Sequence, residues 1–248
     1  MSGEEFVERD LSGARFVRSD LSEVVMRGVI IDDAEIDAPW LLDGEATLLV
    51  NGVDVAPLVD AELDRRFPGR ALRRAQDPDG LRAAFAALET AWGAAIARAA
   101  ALPPGSVDLQ VDGEWSFAQT LRHLVFAIDA WFGGAVLRLE QPFHPLGQTI
   151  PESEEDGVDL SLFVTGTPAY DDVLEAFADR VSLVRDWLAE ATPDQLDAPR
   201  PHPWAPEHAV PVRACVGTVL REGWEHLRYA QRDLDVIASG RETRTPLP

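Results

Sequence analysis

The chain has 248 residues, of which 46% are hydrophobic, so it can form one large domain or a domain with an appendage around a packed core. Its 43 acidic and 22 basic residues give a formal net charge of −21, which opposes binding to nucleic acids and anionic membranes. No apolar run approaches the roughly 20 residues of a membrane span, and the acidic N-terminus is unlike a basic signal peptide. We therefore expect a cytoplasmic protein without nucleic-acid or membrane partners.

The composition also restricts the available chemistry. Every basic residue is arginine, which excludes Schiff-base catalysis by lysine and a phosphate-binding P-loop lysine. The single cysteine, Cys215, excludes an internal disulfide. Because Cys215 lies among apolar residues in a helical pattern, we interpret it as a small buried hydrophobe rather than a nucleophile.

The first forty residues carry a five-residue repeat that fits neither a helix nor an alternating strand. Small or short side chains recur two positions before many of its apolar residues. The apolar positions are Phe6, Leu11, Phe16, Leu21, Met26, Ile31, Ile36 and Leu41. This pattern resembles the pentapeptide-repeat family, which implies a right-handed quadrilateral β-helix.

The repeats are sufficient for only about two coils, fewer than the three or more units that a solenoid usually needs for independent stability. We therefore expect this segment to depend on the rest of the chain and to act as a scaffold or interaction element. A strand-and-turn extension with accidental spacing is the alternative interpretation.

Turn residues divide the chain after the repeats. Asn51-Gly52 lies between two β-rich segments and predicts a tight hairpin. A short helix is expected over Ala56–Phe67, followed by Pro and Gly residues that mark a boundary at about 68–80. The predicted division is residues 1–55 for the pentapeptide-repeat segment with its hairpin, 56–77 for a connecting helix and linker, 78–240 for the main domain and 241–248 for a tail.

Four long helices are predicted in the main domain. The first, through Leu81 and Ala99, has apolar residues at the 3, 4, 7 spacing of a helix that buries one face. The others are expected from a capping box at Ser116 and Gln119 through Trp131, from Thr167-Pro168 through Leu188, and from Pro211 to about Ala238. The connection over Glu140–Thr167 exceeds the usual limit of about 12–15 residues, so we expect either a crossover spanning the bundle or a functional lid.

Two of these helices carry candidate metal ligands. Glu222 and His226 are four residues apart, so they share one helix face with Cβ atoms about 5–6 Å apart and are suited to holding one metal ion. His123 lies in a helix with few polar residues after its cap, which predicts that it faces the bundle interior. Together they would form a two-histidine, one-carboxylate site. A hydrogen-bonded core histidine and a surface Glu222–His226 pair are the alternatives.

Both segments resemble the DinB-like (DinB/YfiT) superfamily of metal-binding four-helix bundles, over about residues 78–240. The first segment carries the resemblance at Trp115, Ser116, Thr120, Leu121, His123, Leu124 and Asp129. The second carries it at Glu222, Trp224, Glu225, His226, Arg228, Tyr229, Arg232, Asp233 and Leu234. The resemblance implies a mainly α fold, with a DinB-like four-helix bundle preceded by the short β-helix and hairpin.

The resemblance also implies a ligand set and a chemistry. His123, Glu222 and His226 would be the ligands, although the family usually has histidine at the position of Glu222. A carboxylate with two imidazoles suits Zn²⁺ best and also accommodates Fe²⁺, Mn²⁺ or Ni²⁺. The implied activity is that of a metal-dependent transferase in which a low-molecular-weight thiol of the mycothiol type attacks a small electrophile, with no catalytic side chain beyond the metal ligands. Arg228, Tyr229 and Arg232 are candidates for binding the cosubstrate or contacting the ligands.

A second class of function remains open at this point. The bundle would keep a structural or vestigial metal site without catalysis, and the pentapeptide segment would bind other proteins. The glutamate at position 222 and the lack of a clear additional general acid or base favour this interpretation, whereas the Trp-Ser…His segment and the long connection favour the transferase. The superfamily resemblance also leads us to expect a homodimer.

Overall fold

The computed structural model describes residues 5–42, 44 and 46–240, so the predicted tail at 241–248 lies outside the described residues. The chain divides into two compact units, Met1–Ala38 and Pro39–Pro248. The α-helices are α1 (Ala56–Arg66), α2 (Pro78–Ala100), α3 (Phe117–Ile128), α4 (Tyr170–Glu190), α5 (Pro193–Asp197) and α6 (Val212–Ser239). The strands are β1 (Leu49–Val50), β2 (Val53–Asp54), β3 (Pro199–His202) and β4 (Ala205–Pro211).

The first unit repeats a turn every five residues. Positive φ angles recur at Glu8, Gly13, Arg18, Glu23, Gly28 and Asp33. At two of these turns an amide donates to the carbonyl three residues earlier, from Ala14 to Leu11 and from Val24 to Leu21. The sequence period is therefore expressed in the local backbone conformation.

The predicted β-helix is not supported. Residues 5–38 contain no strand, and their apolar residues at the five-residue positions, from Phe6 to Ile36, are 46–63% exposed. A β-helix needs neighbouring coils to pair its strands and cover its interior, and this segment is too short to supply several. The pentapeptide-repeat assignment therefore stays a prediction, and the described sheets are two small hairpins.

The predicted hairpin at Asn51-Gly52 is confirmed, and it lies in the second unit. β1 and β2 pair antiparallel with Val50 opposite Val53. Asn51 and Gly52 both have positive φ, at 52° and 81°, as a two-residue type I′ turn requires.

Four long helices form the main body of the second unit, in agreement with the predicted mainly α fold. α2 contacts α6 and α4, and α3 contacts the same two helices, so the four form a closed ring around one core. The core includes the fully buried Leu121 and Val184 together with Trp92, which is 2% exposed. The capping box at Ser116 and Gln119 is confirmed, with both reciprocal hydrogen bonds present.

Three details of the second unit differ from the sequence prediction. The predicted second helix is α-helical only to Ile128 and then continues as a π-helix over Asp129–Val136, in which Leu137 N–H donates to Phe132 O. The third helix begins at Tyr170, two residues after Pro168, with Ala169 as an N-cap that offers no side-chain hydrogen bond. The β3–β4 hairpin was not predicted, because its prolines are unfavourable for strands in the absence of tertiary support.

The long connection after the π-helix is anchored to α3 and to the π-helix itself. The buried carboxylate of Asp129 accepts hydrogen bonds from the backbone N–H of His144, at 2.7 Å, and from the side chain of Arg180. The buried guanidinium of Arg122 donates to the carbonyls of Leu146 and Gly166. The connection is therefore a crossover fixed at several points along its length.

Within the described residues, no helix combines the length and the apolar character needed to cross a membrane.

Candidate metal centre

The three predicted ligands converge between two neighbouring helices. His123 projects from α3, and Glu222 and His226 project from the same face of α6. Their side chains are largely withdrawn from solvent, at 8%, 18% and 16% exposure respectively. The sequence spacing thus identified a cluster that the fold assembles from two helices, and neither a lone core histidine nor a surface pair describes it.

The spacing of the donor atoms fits a small metal ion. Glu222 Oε2 lies 3.5 Å from His123 Nε2 and 3.4 Å from His226 Nε2. One ligand atom from each residue can be chosen so that all lie within 4.8 Å of one another. Two ligands about 2.0–2.2 Å from a tetrahedral ion would lie roughly 3.3–3.6 Å apart. The two-imidazole, one-carboxylate donor set therefore suits a transition metal in both chemistry and spacing.

A main-chain carbonyl orients His123. His123 Nδ1 lies 3.3 Å from the carbonyl oxygen of Gln148, in the long connection. Since a carbonyl only accepts hydrogen bonds, Nδ1 carries a proton in this contact, and Nε2 is the ring nitrogen that faces Glu222. Gln148 N–H in turn donates to Arg122 O, which holds this carbonyl against α3.

Burial and neighbouring side chains shift the pKa values of Glu222 and His226. Burial by itself would raise the pKa of Glu222, but hydrogen bonds from the imidazoles of His123 and His226 hold that pKa well below its usual range. Burial lowers the pKa of His226, with the neighbouring imidazole of His123 acting in the same direction. An ionised carboxylate and a neutral imidazole are the forms of these groups that bind metals.

Aromatic rings cover one side of the cluster. The ring of Trp115 lies 4.6 Å from that of His123 and stacks at 6.0 Å on that of His226, measured between centroids. The ring of Tyr229 lies 5.9 Å from that of His226. Sequence reasoning placed Trp115 in the motif, but not in this covering position.

Of the three candidate cosubstrate residues, Arg228 and Arg232 lie against the ring of the third, Tyr229. The guanidinium carbons of Arg228 and Arg232 lie 4.3 Å and 5.4 Å from its ring centre. Arg228 also pairs with Glu225, and Arg232 pairs with Glu114. These residues are adjacent to the cluster through Tyr229 and His226, and a role in cosubstrate binding stays a prediction.

A close approach of α2 and α6 fixes the helix that carries Glu222. The indole N–H of Trp92 donates to Gly223 O at 3.0 Å. A Cβ atom at Gly223 would lie 2.5 Å from a methyl carbon of Leu88, so only glycine allows this packing without displacing Leu88. The glycine beside Glu222 in the sequence is therefore explained by packing.

A cavity of about 400 Å³ lies between α2, α3, α4 and α6 and reaches Glu222. Aliphatic and aromatic side chains form most of its wall. Sequence reasoning did not identify this cavity, because it arises from the packing of four helices rather than from a local motif.

Cys215 and the three remaining histidines lie apart from the cluster. Cys215 is fully buried, and burial raises the pKa of its thiol to about 11, which agrees with the expected structural role. His144 Nδ1 accepts from Leu146 N–H, His202 Nδ1 accepts from Trp204 N–H, and the exposed His208 pairs with Glu207. His144 lies in the long connection, and His202 and His208 lie in the β3–β4 hairpin, so all three have local contacts outside the cluster.

Comparison with known proteins identifies the class. The DinB superfamily model matches residues 87–230, which is more than half of the chain and includes all three clustered residues. The chain therefore belongs to the DinB superfamily. Searches of curated proteins and of solved structures found no match.

Proposed function

We propose that the protein is a metal-dependent transferase in which His123, Glu222 and His226 hold one divalent transition metal, with Zn²⁺ the best fit. A low-molecular-weight thiol of the mycothiol type would attack a small electrophile at this centre. The observation that carries the proposal is the convergence of two imidazoles and one carboxylate at 3.4–3.5 Å within a bundle of the DinB superfamily. These are nitrogen and oxygen donors suited to zinc and to Fe²⁺, Mn²⁺ or Ni²⁺.

The ion, when bound, would supply the positive charge that favours deprotonation of a thiol near neutral pH. The protein's own groups account for the rest of the arrangement. The Gln148 carbonyl orients His123, and the ring of Trp115 shields His123 and His226 on one side. Arg228 and Arg232 would attract an anionic group of the thiol cosubstrate to the edge of the site.

A non-catalytic bundle is the second candidate, with a structural or vestigial metal site and with protein binding by the first unit. Two observations support it. The Glu222 carboxylate already contacts both imidazoles, so the three side chains partner one another without an ion. The first unit exposes apolar side chains such as Phe16, at 60%, and Ile30, at 89%, which are suited to contact with another protein.

The two candidates are separated by a thiol-transfer assay on metal-loaded protein. Mycothiol and a chromogenic electrophile such as 1-chloro-2,4-dinitrobenzene would be mixed with wild type, His226→Ala and Glu222→His. Glu222→His restores the family's usual ligand pair and serves as the matched control. We expect metal-dependent acceleration by wild type and Glu222→His, and its loss in His226→Ala. Acceleration by Glu222→His alone would favour the vestigial site, and equal rates in all three proteins would contradict the transferase.

A further inference from the structure

We propose that the 400 Å³ cavity beside Glu222 holds an uncharged apolar group, an alkyl chain or an aromatic ring, of the substrate that reacts at the metal centre. This inference rests on the proposed function and adds the substrate class.

Along α3 and α6, the cavity and the aromatic cover extend from the ligands in opposite directions. On α6, Val219 and Gly223 line it together with Glu222. On α3, it is lined by Ala127, one helical turn beyond His123. Trp115 comes before His123, next to the N-cap of α3. A molecule in the cavity would thus approach the cluster from within the bundle, past Glu222.

The wall of the cavity favours uncharged ligand groups over charged ones. Leu88, Trp92, Ile128 and Phe177 are among the side chains that form it, and its charged residues are Glu222 at the cluster and the pair Glu89 and Arg185. Its volume lies within the roughly 300–1,000 Å³ range of small-molecule sites, which are mostly apolar with a few polar groups. Apolar surface buried here would contribute binding energy, whereas a charged group would lose hydration without a partner.

The cavity reaches the surface between α2 and α4. Its exposed lining residues are Gly93 on α2 and Ala178 and Arg185 on α4. Glu89 and Arg185 pair across these two helices at 2.9 Å. A half-exposed ion pair of this kind is weak and can open at little cost, so an apolar group can enter beside it.

Two substitutions would fill the cavity from its rim. A Cβ atom at Gly93 meets no atom within 4 Å, so Gly93→Leu can be accommodated at the backbone while its side chain occupies the opening. Ala178→Phe would fill the cavity from α4. Gly217→Leu is the matched control, because Gly217 also lies within a helix with open space at its Cβ but does not line the cavity.

The test is calorimetric titration of Zn²⁺-loaded protein with alkyl hydroxamates, which combine a metal-binding head with a tail of variable length. From acetohydroxamate to octanohydroxamate, we expect wild-type affinity to rise roughly three- to fourfold for each added methylene until the cavity is full. In Gly93→Leu and Ala178→Phe, the affinity for octanohydroxamate should fall at least tenfold while that for acetohydroxamate stays within twofold. Gly217→Leu should behave as wild type. An equal dependence on tail length in all four proteins would overturn the proposal.

A second titration separates the cavity from the metal centre. Metal-free wild type should bind 1-hexanol, and both cavity-filling variants should lose that binding. Hexanol binding without any acetohydroxamate binding would contradict the metal-based function and leave the apolar site in place. Acetohydroxamate binding with neither a dependence on tail length nor hexanol binding would overturn the cavity proposal and leave the metal centre in place.

Discussion

The two units of this chain use apolar residues in opposite ways. Phe16 in the first unit is 60% exposed, whereas Phe132 in the second is fully buried. In the first unit a five-residue period sets a repeated turn through local interactions alone. In the second, the helical period places one face of each helix against partners that are distant in sequence, and only this long-range pairing creates a core and a site within it.

The largest expected effect comes from truncating equivalent side chains in the two units. Phe132→Ala should lower the free energy of unfolding by about 3–5 kcal/mol, because it leaves a cavity in the core. Phe16→Ala should change it by less than about 0.5 kcal/mol, because that ring is exposed in the folded chain. Urea denaturation of both variants measures the difference. A comparable loss in Phe16→Ala would show that the first unit packs more tightly than its exposure indicates.

Two aspartates, one in each unit, should also have pKa values shifted in opposite directions. Burial raises the pKa of Asp129 to about 6, despite its contacts with His144 and Arg180, whereas hydrogen bonds from Ser12 lower the pKa of the exposed Asp10. Because the folded-state pKa of Asp129 lies above its unfolded value, the native state binds the proton more tightly. The free energy of unfolding should therefore rise as pH falls from about 6 to 4, by roughly 3 kcal/mol at most.

The control for this pH effect is the difference between wild type and Asp129→Asn. That difference isolates the Asp129 carboxyl from other titrating groups, and it should shift in favour of wild type on acidification. Asp10→Asn should show no such shift. A difference between wild type and Asp129→Asn that is constant from pH 4 to 7 would mean that folding does not raise the pKa of Asp129.

The smallest expected effect concerns two glycines. Gly217→Ala should stabilise α6 by about 0.5–1 kcal/mol, because a Cβ meets open space there and alanine favours a helix. Gly28 has a φ of +64°, so Gly28→Ala should instead strain the repeated turn. Thermal unfolding measures the first change, and trypsin cleavage after the neighbouring Arg27 measures the second. Slower cleavage in Gly28→Ala would contradict the proposed strain.

The sequence predicted those features that depend on local spacing. The capping box at Ser116, the Asn51-Gly52 turn and the pairing of Glu222 with His226 all follow from residues within four positions of each other. The Gln148 contact with His123 was not predictable, because it uses a main-chain carbonyl that any residue carries. The β-helix prediction is not supported, because a five-residue period indicates repeated turns but does not show whether successive coils pair.

The most direct test of the metal centre is elemental analysis of untagged protein purified without added metal, beside Glu222→Gln and His226→Ala. Wild type should contain about one equivalent of a transition metal, and each variant should contain much less while keeping its helical circular dichroism, since the ligands lie on helices whose cores are unchanged. Full metal content in both variants would contradict the proposed centre. So would wild-type protein that binds no metal when supplied with Zn²⁺, Mn²⁺, Ni²⁺ or anaerobic Fe²⁺.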